Sequence, residues 1–303
     1  PAQIVVITFT NAAAEEMRKR LGETSVFIGT VHSYANKILT SHGINTTSYI
    51  AKENFDGFFN LIKKNPVVVS PVKHLLLDEA QDSSEIQFEF LLDMLKPENF
   101  FFVGDYRQCI YEFNMARPDL LVELANSPGV TTYHLNENYR NSSKILDYAK
   151  ALIRKAGDEY FDDSFSMRES EGIVARAEYD PDVIANLILK KGNYKDWFVL
   201  TRTNGELEAI YTYLEMKGIP CDTFKRGKIT EEEFSKKMAQ DTVKVLTIHT
   251  SKGLEAKNVV VIGARGWNTE EKRIQYVAAT RAMDLLLWTT PAPKRKKKYV
   301  DWE

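Results

Sequence analysis

The run HLLLDEAQDSS, residues 74–84, sets Asp78, Glu79, Gln81 and Asp82 straight after three leucines. Such an apolar run reads as a buried strand, so the four acceptors fall where the strand ends. Two adjacent carboxylates there suit a metal ion and a water molecule. Asp78 can hold Mg²⁺, directly or through water, and Glu79 can polarise a water for attack on phosphorus, the division of labour in phosphoryl transfer. A second strand end, FFFVGDYRQ, brings Gln108 close enough to sense a terminal phosphate, because ligands of parallel sheets collect at the carboxyl ends of strands. Arg140 in LNENYRNSS and Arg281 in YVAATRAMD can neutralise charge developing on a transferred phosphoryl group. A bare Asp-Glu pair after hydrophobics is common, Gln108 could equally cap the next helix, and most single arginines are surface residues. The weight lies in the ensemble.

Four further segments follow or end strand-like runs: TFTN (residues 8–11), GTVHS (29–33), IYEF (110–113) and TIHTSKGLE (247–255). Their hydroxyls, imidazoles and rings suit phosphate contacts and stacking on unpaired bases. Taken singly, Phe9 and Phe113 read as core, and His32 and His249 as hydrogen-bonded structural residues.

The elements that must position these groups alternate between strand and helix, the pattern of parallel α/β architecture. IVVITFT is a strand, and Asn11 is the expected cap of the helix AAAEEMRKRL, whose glutamates come early and basic residues late, as the helix dipole favours. HLLLDEAQD and NFFFVGD are further strands, with EIQFEFLLDML helical between them. The segment GVTTYHLNENYRNSSKILDYAKALIRKA opens a new unit with a short strand and a long helix. Thereafter DWFVLTRT, TVKVLTIHT, NVVVIGA and DLLLWTT read as strands, and GELEAIYTYLEMKG (ending at Gly218) and EEKRIQYVAATRAM as helices. A cut near residue 134 gives two α/β domains, 1–133 and 134–303, with the charged stretch 154–172 as a loop or connection inside the second.

Composition bounds the rest. The chain has 303 residues, 44% hydrophobic and 27% charged, at a formal net charge of −2. That length suits two ordinary domains, and the charge carries no global signature of a nucleic-acid binder, though a narrow groove can grip nucleic acid in a neutral protein. The basic run KRKKK (residues 294–298) reads first as a solvated tail, with a phosphate-contacting arm as the alternative. Two cysteines are too few for a disulfide framework or a zinc site. No apolar run approaches the roughly 20 residues of a membrane span, and PAQIVVITFTN does not read as a signal peptide. A cytoplasmic location, no membrane partner and a monomer are expected.

Taken in order, VVITFTNAAAEEMRKRL, GTVHSYANKIL, LLLDEAQD, FFVGDYRQCIYEF, LNENYRNSSKIL, VKVLTIHTSKGLEAKNVVV and RIQYVAATRAMDLLL closely resemble motifs Ia, Ib, II, III, IV, V and VI of the UvrD/Rep/PcrA-type superfamily 1 DNA helicases. The resemblance covers nearly the whole chain. It implies two RecA-like parallel-sheet domains with ATP in the cleft and single-stranded DNA across their tops, and translocation or unwinding, usually 3′ to 5′, in DNA repair or replication. Carried over residue by residue, Asp78 and Glu79 would be the Mg²⁺ ligand and catalytic carboxylate, Gln108 the γ-phosphate sensor, and Arg140 and Arg281 the arginines reaching the phosphates. Tyr139 would stack on adenine, with Gly253 and Glu255 near the ribose and γ-phosphate. Phe9, His32, Tyr111, Phe113 and His249 would line the DNA track, with Thr10, Thr30 and Ser33 on its backbone. Expected partners are single-stranded DNA and junctions of single- and double-stranded DNA.

There are departures. Cys109 stands where a serine is usual, NMA (residues 114–116) replaces Arg-Gly-Ala, and Ala256 follows KGLE where an aromatic is common. The short spacings leave room for only a small 1B remnant, about 36–70, and too little for a full 2B domain. No G-x-x-x-x-G-K-[ST] occurs; the only Gly-Lys pair, Gly227–Lys228, lacks the earlier glycine. The resemblance places that phosphate loop ahead of Pro1. The expectation is the bulk of an ATP-dependent helicase without its P-loop segment, binding ATP poorly by itself. The alternative is a non-catalytic helicase-like protein that binds DNA or a partner.

Overall fold

Continuous apolar runs too short for helices fold as fully buried strands when both sheet faces are covered, and this chain holds two sets of them. In the computed structural model the described residues are 3–65, 72–112, 115–157, 162–224, 230–264 and 266–291. Phe113, the Gly227–Lys228 pair and the basic run 294–298 lie outside them. The chain divides into two compact units, Pro1–Thr132 and Tyr133–Glu303, each described here by itself.

The first unit is built on the strands β1 (Ile4–Ile7), β2 (Phe27–Gly29), β3 (His74–Leu77) and β4 (Asn99–Phe102), all parallel in the order β2-β1-β3-β4. Ile7 lies opposite both Gly29 and Leu77, and Leu77 opposite Phe102, so the segments that follow the strands emerge along one edge. Helices α1 (Asn11–Leu21), α2 (Val31–Ser41), α3 (Thr47–Ala51), α4 (Gly57–Lys64), α5 (Glu85–Phe88, continued by a wider-turned segment to Met94) and α6 (Pro118–Ala125) surround the sheet. Residues 36–65 do not form a lobe of their own: Ile38, Leu39, Phe58, Phe59 and Ile62 share one core with Val5, Ile7, Leu75 and Leu77. The helix after β1 begins one residue earlier than expected. Thr10, not Asn11, is its cap, with its hydroxyl accepting from the Ala13 N–H at 3.1 Å.

The second unit pairs two short strands, β5 (Glu137–Asn138) and β6 (Phe165–Ser166), and carries a six-stranded parallel sheet. Its strands are β7 (Ile173–Ala177), β8 (Trp197–Thr201), β9 (Cys221–Asp222), β10 (Val243–Thr247), β11 (Ala256–Ile262) and β12 (Ala282–Thr289), in the order β7-β12-β11-β8-β10-β9. Every residue of β8 is buried, as expected of a central parallel strand. Helices α7 (Ser143–Ile153), α8 (Pro181–Lys191), α9 (Asn204–Met216), α10 (Glu231–Ala239) and α11 (Thr269–Ala279) complete the alternation. Two boundaries differ from the sequence reading. Helix α9 stops at Met216, before Gly218, whose φ of 72° is left-handed. Helix α11 stops at Ala279, because Ala282 and Met283 already belong to β12. Among the described residues no helix is long and apolar enough to cross a membrane.

Candidate functional site

In the first unit the site grows from the ends of adjacent strands. Asp78 follows β3, its N–H donating to the Ile7 carbonyl at 2.9 Å, and so sits one step past the Ile7–Leu77 pair, level with Thr8. Burial, then the neighbouring Glu79 charge, raises the Asp78 carboxyl above its usual range. Glu79 has φ 55° and ψ 42°, a left-handed backbone that disfavours any residue with a Cβ. That conformation turns the chain into a 3₁₀ turn, Ala80–Asp82, and Gln81 at its centre is fully buried.

Gln81 links the two strand ends. Its Nε2 donates to Glu79 Oε2 at 2.5 Å and its Oε1 accepts from the Asp105 N–H at 3.0 Å. Asp105 in turn accepts from Arg107 Nε at 2.7 Å and from Gln108 Nε2 at 3.0 Å. Gly104 leaves the room for this: a Cβ there would lie 2.6 Å from Gln81 Oε1 and 3.2 Å from the Ala80 nitrogen. Glu79 and Gln108 are therefore parts of one hydrogen-bonded arrangement beside Asp78, held by Gln81, one of the four acceptors of the opening run, and by Asp105, which has no site role in the sequence reading.

The donor set fits Mg²⁺, which takes hard oxygen ligands and commonly binds through one or two carboxylates plus substrate phosphates. Asp78 supplies such a carboxylate, and the Thr8 hydroxyl, 1% exposed, has no hydrogen-bond partner among the described residues. No group of three or more His, Cys, Asp or Glu among those residues is arranged to hold a metal alone.

Phe9, Thr10, Thr30, His32 and Ser33 follow β1 and β2, around the starts of α1 and α2, and Tyr111 follows β4. Phe9 and Tyr111 stack on one another, ring centroids 5.2 Å apart and planes at 23°. Thr30 caps α2, accepting from the Ser33 N–H at 3.2 Å, and Ser33 Oγ donates back to the Thr30 carbonyl at 2.8 Å. Thr10, Thr30 and Ser33 thus have local structural roles at the starts of α1 and α2. His32 lies against Phe59 and Phe55, centroids at 5.3 and 5.8 Å, with Nε2 3.1 Å from Asp56 Oδ1.

In the second unit Arg140 and Glu255 meet, Nε to Oε2 at 2.5 Å, although 115 positions apart. The other guanidinium nitrogens of Arg140 have no protein partner among the described residues, and the side chain is 36% exposed. Tyr139 is 68% exposed; its hydroxyl donates to Glu137, a bond that raises its pKa above the usual value. Gly253 has φ 78° with open space around it, and His249 lies half-buried in the turn after β10.

Arg281 differs from Arg140. It is 1% exposed, and its guanidinium donates to the carbonyls of Val277 (2.9 Å) and Leu254 (3.1 Å) and to Thr280 Oγ1 (3.1 Å). It binds the Gly253–Glu255 turn to α11. Asn141, 1% exposed, joins the two arginine segments, donating to the carbonyls of Thr280 at 3.0 Å and Ala282 at 2.6 Å and accepting from Asn138 Nδ2 at 3.1 Å. Asn138 Oδ1 accepts from the N–H groups of Arg140 and Asn141, and Arg168 donates to the Arg140 carbonyl. Asn138 and Asn141 lie inside the run LNENYRNSS and Arg168 inside the charged stretch 154–172, but nothing local in the sequence marks them as the residues that hold Arg140.

The chain matches known proteins in sequence. Residues 1–68 and 67–128 match the family described as the UvrD/REP helicase N-terminal domain. Residues 133–239 and 225–291 match the UvrD-like helicase C-terminal domain. A protein of Mycoplasma capricolum, described as a probable DNA helicase II homolog, is 22% identical over 341 residues, covering 78% of this chain and 47% of that protein. The ATP-dependent DNA helicase Rep of Escherichia coli is 30% identical over 161 residues, 49% of this chain and 24% of Rep. The ATP-dependent DNA helicase srs2 of Schizosaccharomyces pombe is 38% identical over 99 residues, 32% of this chain and 11% of that helicase. The chain spans less than half the length of these relatives.

Proposed function

This chain belongs to the UvrD/Rep helicase family, and from that premise we propose that it forms part of an ATP-driven motor that moves along single-stranded DNA and opens duplexes, in the 3′ to 5′ direction. The observation that carries the reading is the bonded set Glu79–Gln81–Asp105–Gln108 beside Asp78 at the ends of β3 and β4. Catalysis of phosphoryl transfer is mostly positioning and charge neutralisation; this set supplies the positioning, and a cation held by Asp78 would supply the positive charge.

Asp78 would hold Mg²⁺, which when bound neutralises phosphate charge. Glu79, oriented by Gln81, accepts a proton from the attacking water. Gln108, held by Asp105, offers its amide to the terminal phosphate. Arg140 has guanidinium nitrogens left to reach phosphate oxygens, whereas Arg281 acts by fixing the turn that carries Gly253 and Glu255. Tyr139 presents an exposed ring to a nucleobase. For single-stranded DNA, Phe9, Tyr111 and His32 offer rings in the first unit and His249 offers one in the second.

The test joins a P-loop segment ahead of Pro1 and measures ATP hydrolysis with and without single-stranded DNA. Hydrolysis stimulated by DNA and lost in Glu79→Gln is expected. If no stimulation occurs, and the protein with that segment joined binds single-stranded DNA with an affinity blind to nucleotide and to Glu79→Gln, the protein is a non-catalytic DNA-binding relative instead.

A further inference from the structure

Two of the side chains read as nucleotide contacts hold one another. Arg140 Nε donates to Glu255 Oε2 at 2.5 Å, and both side chains are partly exposed, at 36% and 46%. The Arg202–Glu271 pair of the same unit is built differently. Arg202 makes three bonds to Glu271, whose side chain is only 8% exposed. That pair is a strut. Arg140 gives Glu255 a single N–H of its guanidinium, and exposed pairs of this kind contribute little to stability.

The backbone behind both side chains is pinned. The Arg140 N–H donates to Asn138 Oδ1 at 3.0 Å, and its carbonyl accepts from Arg168 Nη1 at 2.9 Å. Arg281 brackets Glu255: its Nη1 donates to the Leu254 carbonyl at 3.1 Å, and its own carbonyl accepts from the Ala256 N–H at 3.0 Å. Opening the pair therefore needs only side-chain rotations. Gly253, on the same turn, has nothing within 4 Å of the place a Cβ would take, so other atoms do not close over the turn there.

A carboxylate and a phosphate offer a guanidinium the same thing, charged oxygen acceptors that its fork of donors can bind. They therefore compete. We propose that Glu255 is a built-in competitor for Arg140: without nucleotide it occupies the guanidinium, and a polyphosphate binds by displacing it. A terminal phosphate carries more negative charge than a carboxylate, so it wins the exchange against an exposed pair. The proposal rests on the reading of Arg140 as a phosphate ligand, and it gives Glu255 a role before the nucleotide arrives.

Inorganic tripolyphosphate is the probe, because it lacks the ribose that Glu255 would also approach. Its affinity is measured by calorimetry on the protein with a P-loop segment joined ahead of Pro1. Glu255→Gln tightens binding roughly 1.5- to 5-fold, the worth of an exposed pair, whereas damage to the fold would weaken it. Arg140→Gln weakens binding, and in that background Glu255→Gln has no further effect, since the competition needs both partners. If Glu255→Gln fails to tighten binding while Arg140→Gln still weakens it, the proposal is overturned and the phosphate reading stands. Equal tightening with and without Arg140 makes it a general effect of removing charge, which also overturns the proposal. If Arg140→Gln changes nothing, or the unaltered protein binds no tripolyphosphate, the phosphate reading of Arg140 fails and takes this one with it.

Discussion

Replacing Asn141 with alanine removes one buried side-chain amide that makes three bonds, to the carbonyls of Thr280 and Ala282 and from Asn138. Each such bond contributes about 1 kcal/mol net, and with no water reaching the site the loss should come to about 3 kcal/mol. All four tryptophans, at 197, 267, 288 and 302, lie in the second unit, so their emission follows that unit's unfolding alone. With a urea dependence of about 2 kcal/mol per molar, the midpoint should fall by roughly 1.5 M. Asn141→Asp should be worse, because it turns a carboxyl oxygen toward two carbonyl oxygens that now receive N–H groups. A midpoint shift below about 0.3 M for Asn141→Ala, or an aspartate milder than the alanine, would refute the claim that this amide clamps the two arginine segments.

Three other outcomes follow from the first unit. Asp78 has a raised pKa when folded, so its ionised form costs stability at neutral pH, and that cost fades as pH falls through the raised value toward the unfolded value near ~3.9. Asp78→Asn should therefore melt higher at pH 7, with the advantage shrinking on acidification; a lower melting temperature at pH 7 would contradict it. Gly104→Ala should cost about 1–3 kcal/mol by overpacking against Gln81, Leu121 and the Ala80 backbone, read by chemical unfolding followed by far-ultraviolet circular dichroism. Thr30→Val removes the cap of α2 and should cost about 1 kcal/mol by the same method; no change would show the cap to be replaceable by water.

The sequence made the central strands plain, because IVVI, HLLL, WFVLT, VKVLT and NVVVI are short and mostly apolar. It hid β2 and β9, which are three and two residues long and show no pattern of their own, and β7, whose exposed positions dilute its hydrophobicity. The α11 boundary was misplaced because Arg281, Ala282 and Met283 continue a helical pattern, while the pairing of β12 with β11 claims Ala282. At the candidate site, Asp78, Glu79 and Gln108 stood out in the sequence as charged or amide groups at strand ends. Gln81 was legible only as an acceptor of the opening run, and Asp105, Asn138, Asn141 and Arg168 had no site role there, since their work is to hold others. Their bonds reach across 24 positions from Gln81 to Asp105 and 141 from Asn141 to Ala282, and no local pattern announces a partner so far away.

The left-handed backbone at Glu79 also biases how this position drifts under mutation. Glycine, asparagine and aspartate tolerate that conformation best, and each deletes the carboxylate, neutralises it or shortens its reach. A library selected for folding alone should accumulate them at position 79. One selected for hydrolysis should keep glutamate despite the strained turn, so the site would stand out in a mutational survey as a place where fitness and foldability pull in opposite directions.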